Sequence, residues 1–134
     1  MRVHRYGGIL LMVLGLAAPA YGQLDPTCSI GGGSYQDETA KAAKTYRQGV
    51  KFQKKAEKAT DAAEREALYE QALEKFHESA AQTETFDARL AMGEVYLTLG
   101  DKGEALKACT VAKTLKPRNE RAKKCFADAG GVEG

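Results

Sequence analysis

Apolar residues recur at intervals of three and four along most of the chain, which is the spacing of amphipathic helices. The first helical segment has one such stripe, formed by Ala43, Tyr46, Gly49, Val50, Gln53 and Ala56. The remaining face of the same segment is rich in lysine, at Lys41, Lys44, Lys51, Lys54, Lys55 and Lys58. A run of this kind is typical of a solvated helix surface.

Four further segments repeat the pattern, and residues that favour helix ends separate them. Helix-starting residues are predicted at Thr60 or Asp61, Thr83 or Thr85, Asp101, and Asn119. Helix-ending residues are Gly100, Pro117 and the Gly130–Gly131 pair. The predicted buried stripes are Tyr69, Ala72, Leu73, Phe76 and Ala80; Phe86, Leu90, Gly93, Tyr96 and Leu97; and Ala105, Leu106, Cys109, Ala112 and Leu115. The pattern therefore predicts an all-α fold of five helices.

The N-terminal segment has a different composition. A basic start with Arg2, His4 and Arg5 precedes an uncharged apolar run that ends in the small residues of a cleavage site. This arrangement predicts a signal peptide over residues 1–22, with an uncleaved N-terminal anchor as the alternative. We expect residues 23–36 to be a flexible Gly-rich linker, 37–130 the helical domain and 131–134 a tail.

Charge argues against nucleic acid as a partner. The chain has 20 Lys and Arg residues and 18 Asp and Glu residues. Loss of Arg2 and Arg5 with the signal peptide would leave the mature chain formally neutral. The basic bias at Lys113, Lys116, Arg118, Arg121, Lys123 and Lys124 is explained by a solvated helix end. Its alternative is a contact surface for an acidic partner or anionic lipid headgroups.

Residues 89–117 resemble a tetratricopeptide repeat (TPR), a 34-residue helix pair. The residues that carry the resemblance are Gly93, Tyr96, Gly100, Ala105, Cys109, Ala112 and Pro117. Arg89 and Cys109 depart from the pattern, because the family often has tryptophan and phenylalanine at those positions. A stretched version of the unit precedes it, since Ala72 and Phe76 each lie 33 residues before Ala105 and Cys109.

The resemblance implies a short right-handed α-solenoid of about two helix pairs and a C-terminal capping helix. In this family the concave side binds a peptide or a helix of another protein. The positions that would face inward here are Asp87, Leu90, Glu94, Leu97 and Thr98. We therefore expect a non-catalytic, exported adaptor or scaffold, periplasmic or secreted, with a protein partner and a tendency to form homo-oligomers or larger complexes.

The three cysteines allow several pairings. Cys109 and Cys125 lie on adjacent predicted helices and are the favoured disulfide, with two buried core residues as the alternative. Cys28 in the linker would then be available for an intermolecular bond or remain a free thiol, and pairings that use Cys28 stay open. A redox-responsive role for Cys28 is a separate hypothesis about function.

Catalytic and metal chemistry has little support in the sequence. After export His77 would be the only histidine, and no C-x-x-C motif or phosphate-binding glycine loop is present. Paired carboxylates such as Glu70 and Glu74 fit exposed helix faces. We expect no enzyme activity, no cofactor and no metal. The alternative function is a small structural subunit of a membrane-associated complex, anchored by an uncleaved N-terminal helix.

Overall fold

The structure is a computed structural model in which residues 35–134 are described, so the predicted signal peptide, most of the linker and Cys28 lie outside the described part. All regular structure in residues 35–134 is α-helical. The five helices are α1 (Tyr35–Lys58), α2 (Ala62–Gln82), α3 (Phe86–Leu99), α4 (Lys102–Leu115) and α5 (Glu120–Asp128). Helix α1 thus begins two residues before the predicted domain start at residue 37.

Side-chain caps define where four of the helices begin. Asp61, Thr85, Asp101 and Asn119 each accept a hydrogen bond from the backbone N–H three residues later. These bonds satisfy backbone donors that have no partner within the helix. At the end of α3, Gly100 has a φ of 82°, a left-handed conformation that glycine adopts without steric strain.

Each helix packs against the next one in the chain, and α3 also contacts α5. One apolar cluster joins the first four helices around Phe76, Met92 and Val95. A second cluster joins α3, α4 and α5, and its buried members are mostly small: Leu90, Ala105, Cys109, Ala112, Ala122, Cys125 and Ala129. Because it has neighbours on several sides, α3 is buried well beyond the single stripe predicted for it.

Two glycines let neighbouring helices approach closely. A Cβ added at Gly49 would lie 2.6 Å from the ring of Phe76. A Cβ added at Gly93 would lie 2.5 Å and 2.6 Å from the sulfurs of Cys109 and Cys125. Glycine is therefore required at both positions by packing, in the first and the second helix pair respectively.

No helix in residues 35–134 is both long enough and apolar enough to cross a membrane.

We predict that Gly93→Ala lowers the free energy of unfolding by about 1–3 kcal/mol, because the added methyl overpacks the contact with both cysteines. The matched control is Gly103→Ala in α4, where an added Cβ would meet only Asp101 Oδ1, at 3.6 Å. We expect that control to be neutral or to stabilise by up to about 1 kcal/mol. Chemical denaturation checks both values, and equal effects of the two substitutions would contradict the packing argument.

Candidate functional site

A groove with a volume of about 210 Å³ lies between α1, α3 and α5. Its apolar residues are Val50, Leu90 and Ala91, and Leu90 and Ala91 are buried. Its polar lining consists of Tyr46, Gln53, Lys54, Glu57, Asp87, Glu94 and Arg121. An apolar floor with polar groups around it can take up an apolar side chain and fix its orientation by hydrogen bonds or charge.

Tyr46 lies where α1 meets this groove. Its ring packs against Phe76 with the centroids 5.5 Å apart, which anchors the side chain in the core. Burial raises the pKa of the Tyr46 phenol, and the negative charge of Asp87 raises it further. The phenol therefore stays protonated well above neutral pH and is a hydrogen-bond donor at the edge of the groove.

An ion pair between α3 and α5 lies between the groove and a second depression. One terminal nitrogen of Arg121 donates to both carboxylate oxygens of Glu94, at 2.7 Å and 2.9 Å. Beyond this pair the second depression is lined by Leu97, Lys124, Cys125 and Asp128. Glu94 and Arg121 line both depressions, so the two form one continuous surface across α1, α3 and α5.

The structure brings together four of the five residues predicted to face inward. Asp87, Leu90 and Glu94 line the groove, and Leu97 lines the adjoining depression. Thr98 lies elsewhere, in a depression with residues from the first two turns of α2, such as Arg65 and Tyr69. Thr98 is in the last turn of α3, where the N-terminal end of α2 runs alongside.

The prediction omitted the contribution of α1 and α5 to the groove. A signal for α1 was present in the sequence: Gly49 and Gly93 are the equivalent close-contact positions, 44 residues apart. Four of the predicted residues on α3 have a counterpart 44 residues earlier on α1. These counterparts all line the groove, and they are Tyr46, Val50, Gln53 and Lys54, which correspond to Leu90, Glu94, Leu97 and Thr98. Arg121 carried no comparable signal, because it pairs with a residue 27 positions earlier.

A disulfide fastens α5 to α4. Cys109 and Cys125 are bonded, with their Cα atoms 5.5 Å apart. Helix α5 has nine residues, fewer than the roughly 12–15 that an isolated helix needs for even marginal stability. The buried residues of α5 are small: Ala122, Cys125 and the C-cap residue Ala129. The disulfide is thus a major constraint on the helix that supplies Arg121.

Most of the C-terminal basic cluster is neutralised within the fold. Lys113, Arg121, Lys123 and Lys124 form salt bridges with Glu133, Glu94, Glu120 and Asp128. The ammonium groups of Lys113 and Lys116 also lie 4.2 Å and 4.4 Å from the ring centroids of Phe126 and Phe86. This pairing favours the structural explanation of the basic cluster over a contact surface for an acidic partner.

His77 packs against Tyr96 on another part of the surface. Its Nε2 atom lies 2.7 Å from the Tyr96 hydroxyl, a hydrogen bond between α2 and α3. Burial lowers the pKa of His77, and the positive charge of Arg89 lowers it further. Residues 35–134 contain no group of three or more His, Cys, Asp or Glu side chains placed to hold a metal ion.

Comparisons of the chain with protein-family models, with curated proteins and with solved structures found no match.

We predict that the double variant Cys109→Ala/Cys125→Ala loses about 2–4 kcal/mol of unfolding free energy, because its loop of 16 residues is no longer closed. Amide hydrogen exchange should rise most in α5 and least in α1 and α2. The control is Cys28→Ser, which leaves the Cys109–Cys125 bond in place. Unchanged exchange in α5 of the double variant would show that the disulfide does not hold this helix.

Proposed function

We propose that this protein is a non-catalytic adaptor with a TPR-like arrangement of helices, and that it binds a peptide segment or helix of another protein in the groove between α1, α3 and α5. The observation that carries the proposal is the groove itself. The groove is lined by α1 and α3, the first helices of the two proposed pairs, and by α5, the proposed capping helix. In a TPR array these are the helices that line the concave side.

The packing of the two helix pairs supports their equivalence. Gly49 on α1 contacts Phe76 on α2, and Gly93 on α3 contacts Cys109 on α4. Phe76 and Cys109 were already matched by their spacing in the sequence. The same close contact thus occurs at matching positions of both pairs, although a phenylalanine fills it in the first pair and a cysteine in the second.

The lining of the groove fits a peptide better than a small metabolite. Only three of its ten lining residues are apolar, and the other seven offer groups that bind backbone amides and charged side chains. The second depression extends the surface along α3 and α5. An extended segment can therefore place one apolar side chain in the groove and continue across the Glu94–Arg121 pair.

Export from the cytoplasm is part of the proposal. A disulfide between Cys109 and Cys125 is compatible with an oxidising compartment such as the periplasm or the extracellular space. Since the disulfide also holds one wall of the groove, the proposed binding surface would be most stable in that environment.

Peptides selected from a random displayed library on the full-length oxidised chain test the proposal. We predict that their affinity, measured by fluorescence anisotropy, falls at least about tenfold for Asp87→Arg, a loss of about 1.4 kcal/mol. Asp87 lines the groove and is exposed, so the bulky cation obstructs the site without disturbing the core.

The matched control is Thr110→Arg, on the exposed face of α4 outside the groove. It should bind the selected peptides like the unchanged protein, and circular dichroism should show both variants folded. If Asp87→Arg binds as well as Thr110→Arg, or if no peptide can be selected, the groove is not the binding site.

A further inference from the structure

Helix α1 carries a continuous band of positive charge on its outward side. We call this band the cationic stripe; all its members are exposed, and they are Lys41, Lys44, Arg47, Lys51, Lys54, Lys55 and Lys58. At about 100° per residue they cover roughly 140° of the helix circumference. The buried positions Ala42, Thr45, Gly49 and Ala56 lie on the opposite side.

No residue of the cationic stripe forms a salt bridge within residues 35–134. In contrast, seven of the other eleven lysines and arginines in these residues do so. Like charges are neighbours along the stripe, for example Arg47, Lys51 and Lys55 at four-residue spacing. Each such pair destabilises a helix by about 0.2–0.5 kcal/mol. Within residues 35–134 no salt bridge offsets this repulsion, and the nearest compensating contact is that of Lys55 Nζ, 5.7 Å from the ring centroid of Phe52.

Helix α2 carries the complementary charge. The acidic stripe is exposed along the outward side of this helix and consists of Glu64, Glu66, Glu70, Glu74 and Glu78. Only Glu78 forms a salt bridge within the described residues, with Lys75 at 2.8 Å. Exposed Ala63, Ala67 and Ala81 lie among these carboxylates, and their short side chains leave room for a second helix to approach.

The two stripes match in length. Seventeen residue steps separate Lys41 from Lys58 and fourteen separate Glu64 from Glu78, which correspond to about 26 Å and 21 Å at 1.5 Å per residue. Within one copy α1 and α2 pack through their buried sides, so the stripes cannot cover each other. The hydrogen bond from Lys75 is the main cause of the lowered pKa of Glu78, and the charge of Lys41 on α1 makes a smaller contribution.

We propose that the chain self-associates through these surfaces, with the cationic stripe on α1 of one copy docked against the acidic stripe on α2 of another. A second copy offsets both stripes at once. An anionic membrane would offset only the stripe on α1 and leave the carboxylates of α2 unmatched. The acidic stripe does not line the groove, and of the cationic stripe only Lys54 does, so the contact shares one residue with the groove and leaves the other nine lining residues uncovered.

Charge reversal of the full-length chain tests this inference by sedimentation velocity. At 20 mM NaCl the unchanged protein should associate, and the apparent Kd should rise at least about tenfold in 500 mM NaCl, where charges are screened over a few ångström. The variants Lys51→Glu/Lys55→Glu and Glu70→Lys/Glu74→Lys should each be monomeric alone. An equimolar mixture of the two should again form a 1:1 complex, since each supplies the charge that the other lacks.

The matched control is Glu104→Lys/Lys107→Glu on α4, which exchanges the partners of an existing salt bridge and should associate like the unchanged protein. All variants keep residues 1–34, so association through that segment would persist in both single-stripe variants and would overturn the proposal. A monomer at low salt, or a mixture that does not associate, would do the same.

Co-sedimentation with phosphatidylglycerol vesicles tests whether the cationic stripe binds an anionic lipid surface instead of a second copy. Vesicle binding that requires Lys51 and Lys55, in a protein that stays monomeric, would overturn self-association in favour of a lipid surface. Peptide binding in the groove should be equal in the two single-stripe variants and the unchanged protein. The two experiments therefore distinguish failure of the proposed self-association from failure of the proposed peptide binding in the groove.

Discussion

The close approach of α3, α4 and α5 at Gly93 is the contact on which the groove depends. The glycine leaves room for the sulfurs of Cys109 and Cys125, and the disulfide in turn fixes the short helix α5. Only with α5 in place can Arg121 reach Glu94 and form the far wall of the groove. The buried residues of the surrounding cluster are mainly alanine and cysteine, so they bury little apolar surface. The disulfide therefore contributes more to holding α5 in place than it would in a core of large buried side chains.

The opposite end of the groove is stabilised in a different way. There Gly49 admits the ring of Phe76, which also packs against Tyr46. The first helix pair thus uses a large aromatic side chain at the position where the second pair uses a disulfide. A phenylalanine in place of Cys109 would remove the disulfide that links α5 to α4.

The helices and their caps were predictable from the sequence because both depend on local interactions. Asp61, Thr85, Asp101 and Asn119 act within three residues of their own position. The groove was predictable only in part, since it requires knowing which helices lie side by side. Leu90 and Glu94 were expected there only because the TPR resemblance implied it. Thr98 instead faces α2, and Arg121 joins the groove through an ion pair with a residue distant in sequence. The charge on α1 was visible in the sequence, but its lack of salt bridges within the described residues required the structure.

Amide chemical-shift mapping of the oxidised protein with a selected peptide tests the proposed binding of a partner segment across α1, α3 and α5. If the peptide lies in the groove, the largest shifts occur at Tyr46, Val50, Leu90, Glu94 and Arg121, and the outward faces of α2 and α4 show small shifts. Saturable binding with shifts confined to those outward faces would show that the partner uses a surface to which Gly93 and the disulfide contribute nothing.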